Sequence, residues 1–283
     1  MGMSASYQSG SATLAFRESG AGQPVVFLHP TPLDGEYWQP LIAKLEGVRA
    51  LVPDLRGHGG SELGTLSAGG FAGLPDQPVL TMARLASDVL ALLDHLQIPA
   101  ALFAGCSIGG YVLLEIWRQA PERMRGLAFI CSKAQPDAPQ NLPRRASTIA
   151  QALSGKSAAL FDGMAQTLTG ATARERRPEI AAQLRALMTI TPEALAAVQA
   201  GLATRPDSVP TIATITVPIL AIAGGEDPGV TPEEMQAFHA APGGCEFHLL
   251  LQAGHFAAYE QPQEVAALMN DWLRHFVQQS KIC

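Results

Sequence analysis

Short apolar runs alternate with amphipathic ones through the first half of this chain. Leu14 to Glu18 and Val25 to His29 read as β-strands, divided by the turn Ser19-Gly20-Ala21-Gly22. Tyr37 to Leu45 reads as a helix and Val48 to Pro53 as the next strand. Met82 to Leu96 carries Leu85, Val89, Leu92, Leu93 and Leu96 at helical spacing, the signature of a helix with one buried face. An apolar strand over Ala100 to Ala104, a helix over Tyr111 to Gln119 and a strand over Gly126 to Ser132 follow. Strands that are apolar on both faces and separated by helices predict a mostly parallel sheet covered on both sides.

The alternation stops near Ala134. From there to Val209 the chain is Ala-rich and helical, with breaks at Pro143, Gly155, Gly163, Gly170, Pro178, Pro192 and Pro206, and four short helices are expected. The sheet pattern returns at Val217 to Ala223. A helix over Thr231 to His239, a strand over Glu246 to Leu251 and a closing helix over Pro262 to Val277 complete it. The expected organisation is an α/β core built from residues 1–133 and 210–283, with residues 134–209 inserted between two sheet strands as a helical cap. An insertion at the C-terminal edge of a parallel sheet lies over the crevice where ligands bind. The Gly/Pro-rich stretch Leu63 to Leu80 is long for a loop and is either functional or mobile.

Composition narrows the class. The 283 residues are 47% hydrophobic and 16% charged, enough to bury a sizeable core. With a net charge of −6 and no basic cluster beyond Arg144-Arg145 or Arg174 to Arg177, nucleic acid is not an expected partner. No apolar run reaches the length of a membrane span, and the first residues lack a secretory pattern. Cys106, Cys131, Cys245 and Cys283 show no paired or C-x-x-C spacing. A reduced, cytoplasmic protein without disulfides is expected, as a monomer or homodimer. No metal or cofactor is expected, because H-E-x-x-H, paired helical histidines and C-x-x-C are all missing.

The candidate chemistry lies at the strand ends. Gly105-Cys106-Ser107-Ile108-Gly109 matches G-x-S-x-G between an apolar strand and a helix, where a serine hydroxyl stands clear of its backbone above a helix N-terminus. A serine needs a base, and the base needs an orienting acid. Of the seven histidines, His255 follows Gly254 just after the last strand. Asp227 follows the strand ending at Ala223, in Gly224-Gly225-Glu226-Asp227-Pro228. The chain order Ser107, Asp227, His255 is that of a hydrolase triad. The oxyanion would be held by the Ile108 amide and by Thr31, since Pro30 and Pro32 beside Thr31 have no N–H. Cys106 lies one residue off the elbow frame and is not the expected nucleophile. His29 is expected to shape the loop after its strand.

These pieces, together with Trp38, the segment Pro53-Asp54-Leu55-Arg56-Gly57-His58-Gly59-Gly60-Ser61 and Gly254-His255-Phe256, resemble the α/β-hydrolase superfamily over nearly the whole chain. Within it they are similar to the group of enol-lactonases, carboxylesterases and cofactor-free haloperoxidase-like enzymes. The resemblance implies an α/β-hydrolase fold and a small-molecule ester or lactone substrate. It also implies that Asp54, Arg56 and His58 support the fold beside the oxyanion loop and stay outside the catalytic set. Pro30 stands where relatives usually carry glycine. The triad is equally compatible with carbon–carbon bond hydrolysis or perhydrolysis. An intact triad argues against the remaining alternative, a receptor on the same scaffold, and a lyase would need a pocket lysine that the sequence does not single out.

Overall fold

The computed structural model describes residues 3–71 and 76–279. Cys283 and part of the 63–80 stretch therefore lie outside the described residues. Eight strands form one sheet: β1 (Met3–Ser9), β2 (Ala12–Gly20), β3 (Gln23–Leu28), β4 (Val48–Pro53), β5 (Ala101–Cys106), β6 (Met124–Ile130), β7 (Ile219–Gly224) and β8 (Cys245–Leu250). Their order is β1-β2-β4-β3-β5-β6-β7-β8. The β1/β2 and β2/β4 pairs are antiparallel and every later pair is parallel. This is the α/β-hydrolase fold expected from the sequence.

The helices of the core are α1 (Gln39–Ile42), α2 (Met82–His95) and α3 (Ile108–Gln119) before the insertion. In the insertion come α4 (Leu142–Gln151), α5 (Ser157–Leu168), α6 (Ala171–Arg176), α7 (Glu179–Ala186) and α8 (Pro192–Ala203). The chain then runs through α9 (Val209–Ile212), α10 (Pro232–Met235), α11 (Ala257–Glu260) and α12 (Pro262–Gln279). Both faces of the sheet are covered. On β6, Gly126 faces Trp272 and Phe276 of α12, whereas Phe129, on the opposite pleat, faces Gly110 of α3. Strands β5 and β7 are buried at every residue, as their unbroken apolar runs predict. Strand β8 closes the sheet at its other edge, with Glu246 and Leu249 exposed and the rest of the strand half-buried.

Four expectations need correction. Strand β1 was not expected, because only Tyr7 and Ser9 of its described side chains face inward, which leaves no apolar alternation to read. The helix expected over Tyr37 to Leu45 is a 3-10 turn, Gly35–Trp38, followed by the single turn α1. Pro40 has no N–H to carry one ladder through both. The insertion holds five helices instead of four. A π turn with Gly155 at φ 80° divides α4 from α5, while Gly163 lies inside α5 without ending it. The helix over Thr231 to His239 is the one-turn α10 followed by a 3-10 turn, Gln236–Ala240.

Insertion and core share one hydrophobic cluster. Phe161, Leu184, Leu195 and Val198 belong to the same contiguous core as the sheet. Part of the 63–80 stretch docks on the insertion, where Phe71 packs with Ile149, Ala196 and Ala200. No helix among the described residues is long and apolar enough to cross a membrane.

Candidate active site

The parallel register brings the strand ends together. Leu28 pairs with Gly105, Cys106 with Ile130, Ile130 with Ile222, and Gly224 with Leu250. The loop holding Thr31, the elbow at Ser107, Asp227 and His255 therefore all emerge at one edge.

Ser107 joins β5 to α3 with φ 53° and ψ −117°, a strained conformation for a residue with a side chain. The turn is sharp enough that glycine is required on both sides. A Cβ on Gly105 would lie 2.5 Å from the Gly109 carbonyl carbon, and one on Gly109 would lie 2.2 Å from the Leu28 oxygen. Ser107 stands at the N-cap position of α3 without using its hydroxyl as a cap. That hydroxyl faces a cavity of about 250 Å³ that His255, Thr31 and Tyr111 also line.

Asp227 and His255 are paired. His255 Nδ1 lies 2.8 Å from Asp227 Oδ2. A carboxylate accepts only, so Nδ1 carries the proton and Nε2 is left as a lone-pair acceptor. The other oxygen, Asp227 Oδ1, accepts the Gly229 and Val230 amides at 2.7 and 3.2 Å. Burial opposes a charge on His255. The Asp227 carboxylate, its hydrogen bond and the nearby Glu260 outweigh burial and hold the imidazole above its usual pKa.

Thr31 is fixed by a histidine that the sequence had set outside the catalytic group. His58 Nδ1 donates to the Arg56 carbonyl at 3.1 Å, so its Nε2 accepts the Thr31 hydroxyl at 3.0 Å. Burial, with His29 adding to it, pulls the His58 pKa down to about 3, which keeps the ring neutral and able to accept. His29 shapes the loop as expected: Nε2 accepts the Leu55 amide at 2.9 Å and Nδ1 donates to the Pro30 carbonyl at 3.0 Å. The Thr31 amide has no hydrogen-bond partner among the described residues. The Ile108 amide, first in α3, has no intrahelical acceptor.

The rest of the Asp54 to Ser61 segment is structural. Buried Arg56 holds Asp88 of α2 through two bonds of 2.8 and 2.7 Å. Asp54 accepts Arg17, Gly35 and Gly60 at 2.7, 2.9 and 2.9 Å. Cys106 and Cys131 are buried free thiols whose pKa values burial pushes up, so neither is primed as a thiolate.

Sequence reasoning did not place four residues at this site. Glu260 is fully buried, and its carboxylate accepts the amides of Gly254 and Phe256, on either side of His255, at 2.9 and 3.1 Å. It also takes the Gly170 amide from the insertion at 3.0 Å. Its only sequence signal is an acid directly after the apolar run Phe256 to Tyr259. Lys133 lines the cavity, just beyond β6 on the same edge as Ser107, with its ammonium tied to Glu234. Arg144 and Arg145, visible in the sequence as a basic pair, also line the cavity. Of six bulky insertion residues, Leu160, Phe161, Met164, Leu184, Leu187 and Met188, Met164 is the one lining the cavity. The others pack into the shared core.

Comparison with known proteins agrees with this fold. The sequence profile of the Alpha/beta hydrolase family matches residues 25–268. A 3-oxoadipate enol-lactonase from Acinetobacter baylyi is 30% identical over 241 residues, covering 80% of this chain and 79% of that protein. The structure of a thermophilic esterase from Thermogutta terrifontis superposes with a TM-score of 0.85 at 30% identity, covering 93% of this chain and 94% of the other. A bromoperoxidase from Bacillus anthracis shares the fold with a TM-score of 0.76 at 19% identity, over 94% of this chain and 96% of that one.

Proposed function

We propose that this chain, which belongs to the alpha/beta hydrolase family, is a serine hydrolase that cleaves a small carboxylic ester or lactone through an acyl-serine intermediate. The observation that carries the reading is the His255–Asp227 pair at 2.8 Å, which leaves Nε2 as a base in the cavity that Ser107 also faces.

Ser107 Oγ attacks the carbonyl carbon while His255 Nε2 takes its proton. Asp227 stabilises the imidazolium that results. The oxyanion accepts hydrogen bonds from the Thr31 and Ile108 amides, two donors without partners among the described residues. When the intermediate collapses, the C–O bond to the leaving alkoxide breaks and His255 returns the proton to it. Water then attacks the acyl-enzyme with His255 again as base, which releases the acid and restores Ser107. With a lactone the alcohol and the acid leave as one molecule. Residues 134–209 act as a cap, since Met164, Leu168 and Leu202 from that block bound the cavity. The enol-lactonase and esterase names among the relatives support ester chemistry.

The test is a panel of p-nitrophenyl esters and lactones with wild type beside Ser107→Ala. A loss of about 10⁴-fold is expected, and a fluorophosphonate should label wild type once, at Ser107. Activity of Ser107→Ala within about tenfold of wild type sinks the serine mechanism.

A further inference from the structure

Strand β8 ends the sheet, and its outer edge is bare. Its bonds to β7 run through every second residue. The Gly244 carbonyl accepts the Ile219 amide at 2.9 Å, and the Leu250 carbonyl accepts the Gly225 amide at 2.9 Å. The N–H and C=O of one strand residue point the same way, and the direction alternates along the strand. The amides and carbonyls of Cys245, Phe247 and Leu249 therefore point away from β7, and they have no backbone partner among the described residues. Nothing in the strand protects this edge. It holds no proline, lysine or arginine, and its register with β7 runs from Cys245 to Leu250 without a bulge. Leu249 is 41% exposed, and Leu251, directly after the strand, is 73% exposed. The opposite edge strand, β1, instead exposes Ser4, Ser6 and Gln8.

We propose that this edge is the interface of a homodimer. β8 pairs antiparallel with β8 of a second copy of this chain, about a two-fold axis at Phe247, and one sheet runs through both copies. The axis follows from the register. Setting Phe247 against its own equivalent, and Cys245 against Leu249 of the second copy, engages all three outward residues of each strand. An axis at Glu246 or at His248 leaves outward residues unpaired. It also sets Glu246 against Glu246 in the first case, a like-charge pair that destabilises, and His248 against His248 in the second. With the axis at Phe247, Glu246 faces His248 of the second copy in the closely spaced, non-hydrogen-bonded position. A carboxylate accepts and an imidazole N–H donates, so the pair matches on both sides of the axis. Within one chain the two side chains already meet, His248 Nε2 lying 2.7 Å from Glu246 Oε1, and the axis joins the two pairs into one ladder. Leu251 falls towards Gly243 and Gly244 of the second copy, and a Cβ added to Gly244 would meet nothing within 4 Å, which leaves room for the leucine. The patch is complementary to itself, as a two-fold interface requires.

The test is the oligomeric state of the full chain, followed by a cross-link that reads the register. Sedimentation velocity from low to high micromolar concentration should show a dimer of the wild type. Leu249→Lys combined with Leu251→Lys, both at exposed positions, should give a monomer whose circular dichroism spectrum is that of the wild type. Leu249→Cys places a thiol opposite the native Cys245 of the second copy, at the Cα separation of about 5.5 Å that a disulfide spans. Four residues apart along one extended strand, the same two thiols cannot join within a chain. Air oxidation with copper phenanthroline should therefore yield a covalent dimer, with the link between positions 245 and 249 found by peptide mass mapping. Adding Cys245→Ser should abolish that link. A wild type that stays monomeric throughout leaves the edge to some other partner and overturns the dimer. A dimer that survives both lysines, or a link between two introduced thiols, overturns the interface. If the lysine variant misfolds, the cross-link decides: a link between 245 and 249 supports the pairing, and its absence overturns it.

Discussion

Glu260 and Gly170 join the loop that carries His255 to the helical insertion, through a carboxylate–amide bond of 3.0 Å in a fully buried setting. The same carboxylate grips the chain on both sides of the imidazole, and His255 itself donates its amide to the Leu168 carbonyl at 2.9 Å. Thr172 adds a parallel tie, its amide donating to Glu226 at 2.8 Å, one residue before Asp227. His255, Asp227 and the insertion are thus tied together by buried bonds, so loosening the insertion should disturb the His255 imidazole.

Glu260→Ala leaves three buried amides without an acceptor, each costing about 1–3 kcal/mol. The expected result is a loss of about 3 kcal/mol or more in urea unfolding, together with reduced kcat. Unchanged stability would mean that the carboxylate is replaceable by water.

The His255 pKa is raised by Asp227 and Glu260 against burial, and the base must be neutral to act. The low-pH limb of kcat/KM should therefore have its midpoint above the unperturbed value of about 6.5. Stability should follow the opposite direction. A folded-state pKa above the unfolded one contributes stability that is complete below about pH 6.5 and is lost as pH rises through the folded value. Asp227→Asn should lower the limb and cost about 10⁴-fold in kcat by releasing the tautomer. A limb midpoint well below 6.5 in wild type would contradict the pairing.

Cys106→Ala should keep most of the activity, because the thiol is buried behind the elbow, accepting Tyr37 Oη at 3.3 Å. Burial holds the thiol protonated, so iodoacetamide at neutral pH should leave activity intact. Complete loss in the alanine variant would point to the wrong nucleophile.

Gly109→Ala drives a methyl group into the Leu28 carbonyl oxygen at 2.2 Å, and neither backbone segment can yield. The expected outcome is a severely destabilised or insoluble protein, checked by expression and thermal melting. A stable, active variant would show the elbow to be looser than this contact implies.

Met164→Ala enlarges the cavity wall without touching the Asp227–His255 pair. Longer acyl chains should gain kcat/KM relative to acetate, while Phe161→Ala, which empties part of the shared core, should lower stability instead. An unchanged chain-length ranking in Met164→Ala would remove Met164 from the pocket.

Much of the fold could be read from the sequence because its signals are local. Unbroken apolar runs marked β5 and β7, helical spacing marked α2, and the glycines at 105 and 109 marked a turn where two backbones pass in contact. That Ser107, Asp227 and His255 meet at one edge was legible for the same reason, since a residue just after a parallel strand must emerge at that sheet's C-terminal edge. Strand β1 left no such trace, because an edge strand with two inward side chains has no period to detect. Which residues meet across the insertion was equally silent. Glu260 finds Gly170 across 90 positions of chain, and Arg205 finds Asp137 across 68. Such pairings depend on how helices pack against one another, which periodicity does not encode. The basic wall of the cavity belongs to that second kind: Arg144 and Arg145 are only a surface pair in the sequence. Packing α4 over the sheet edge makes both of them wall residues of the cavity that Ser107 also lines.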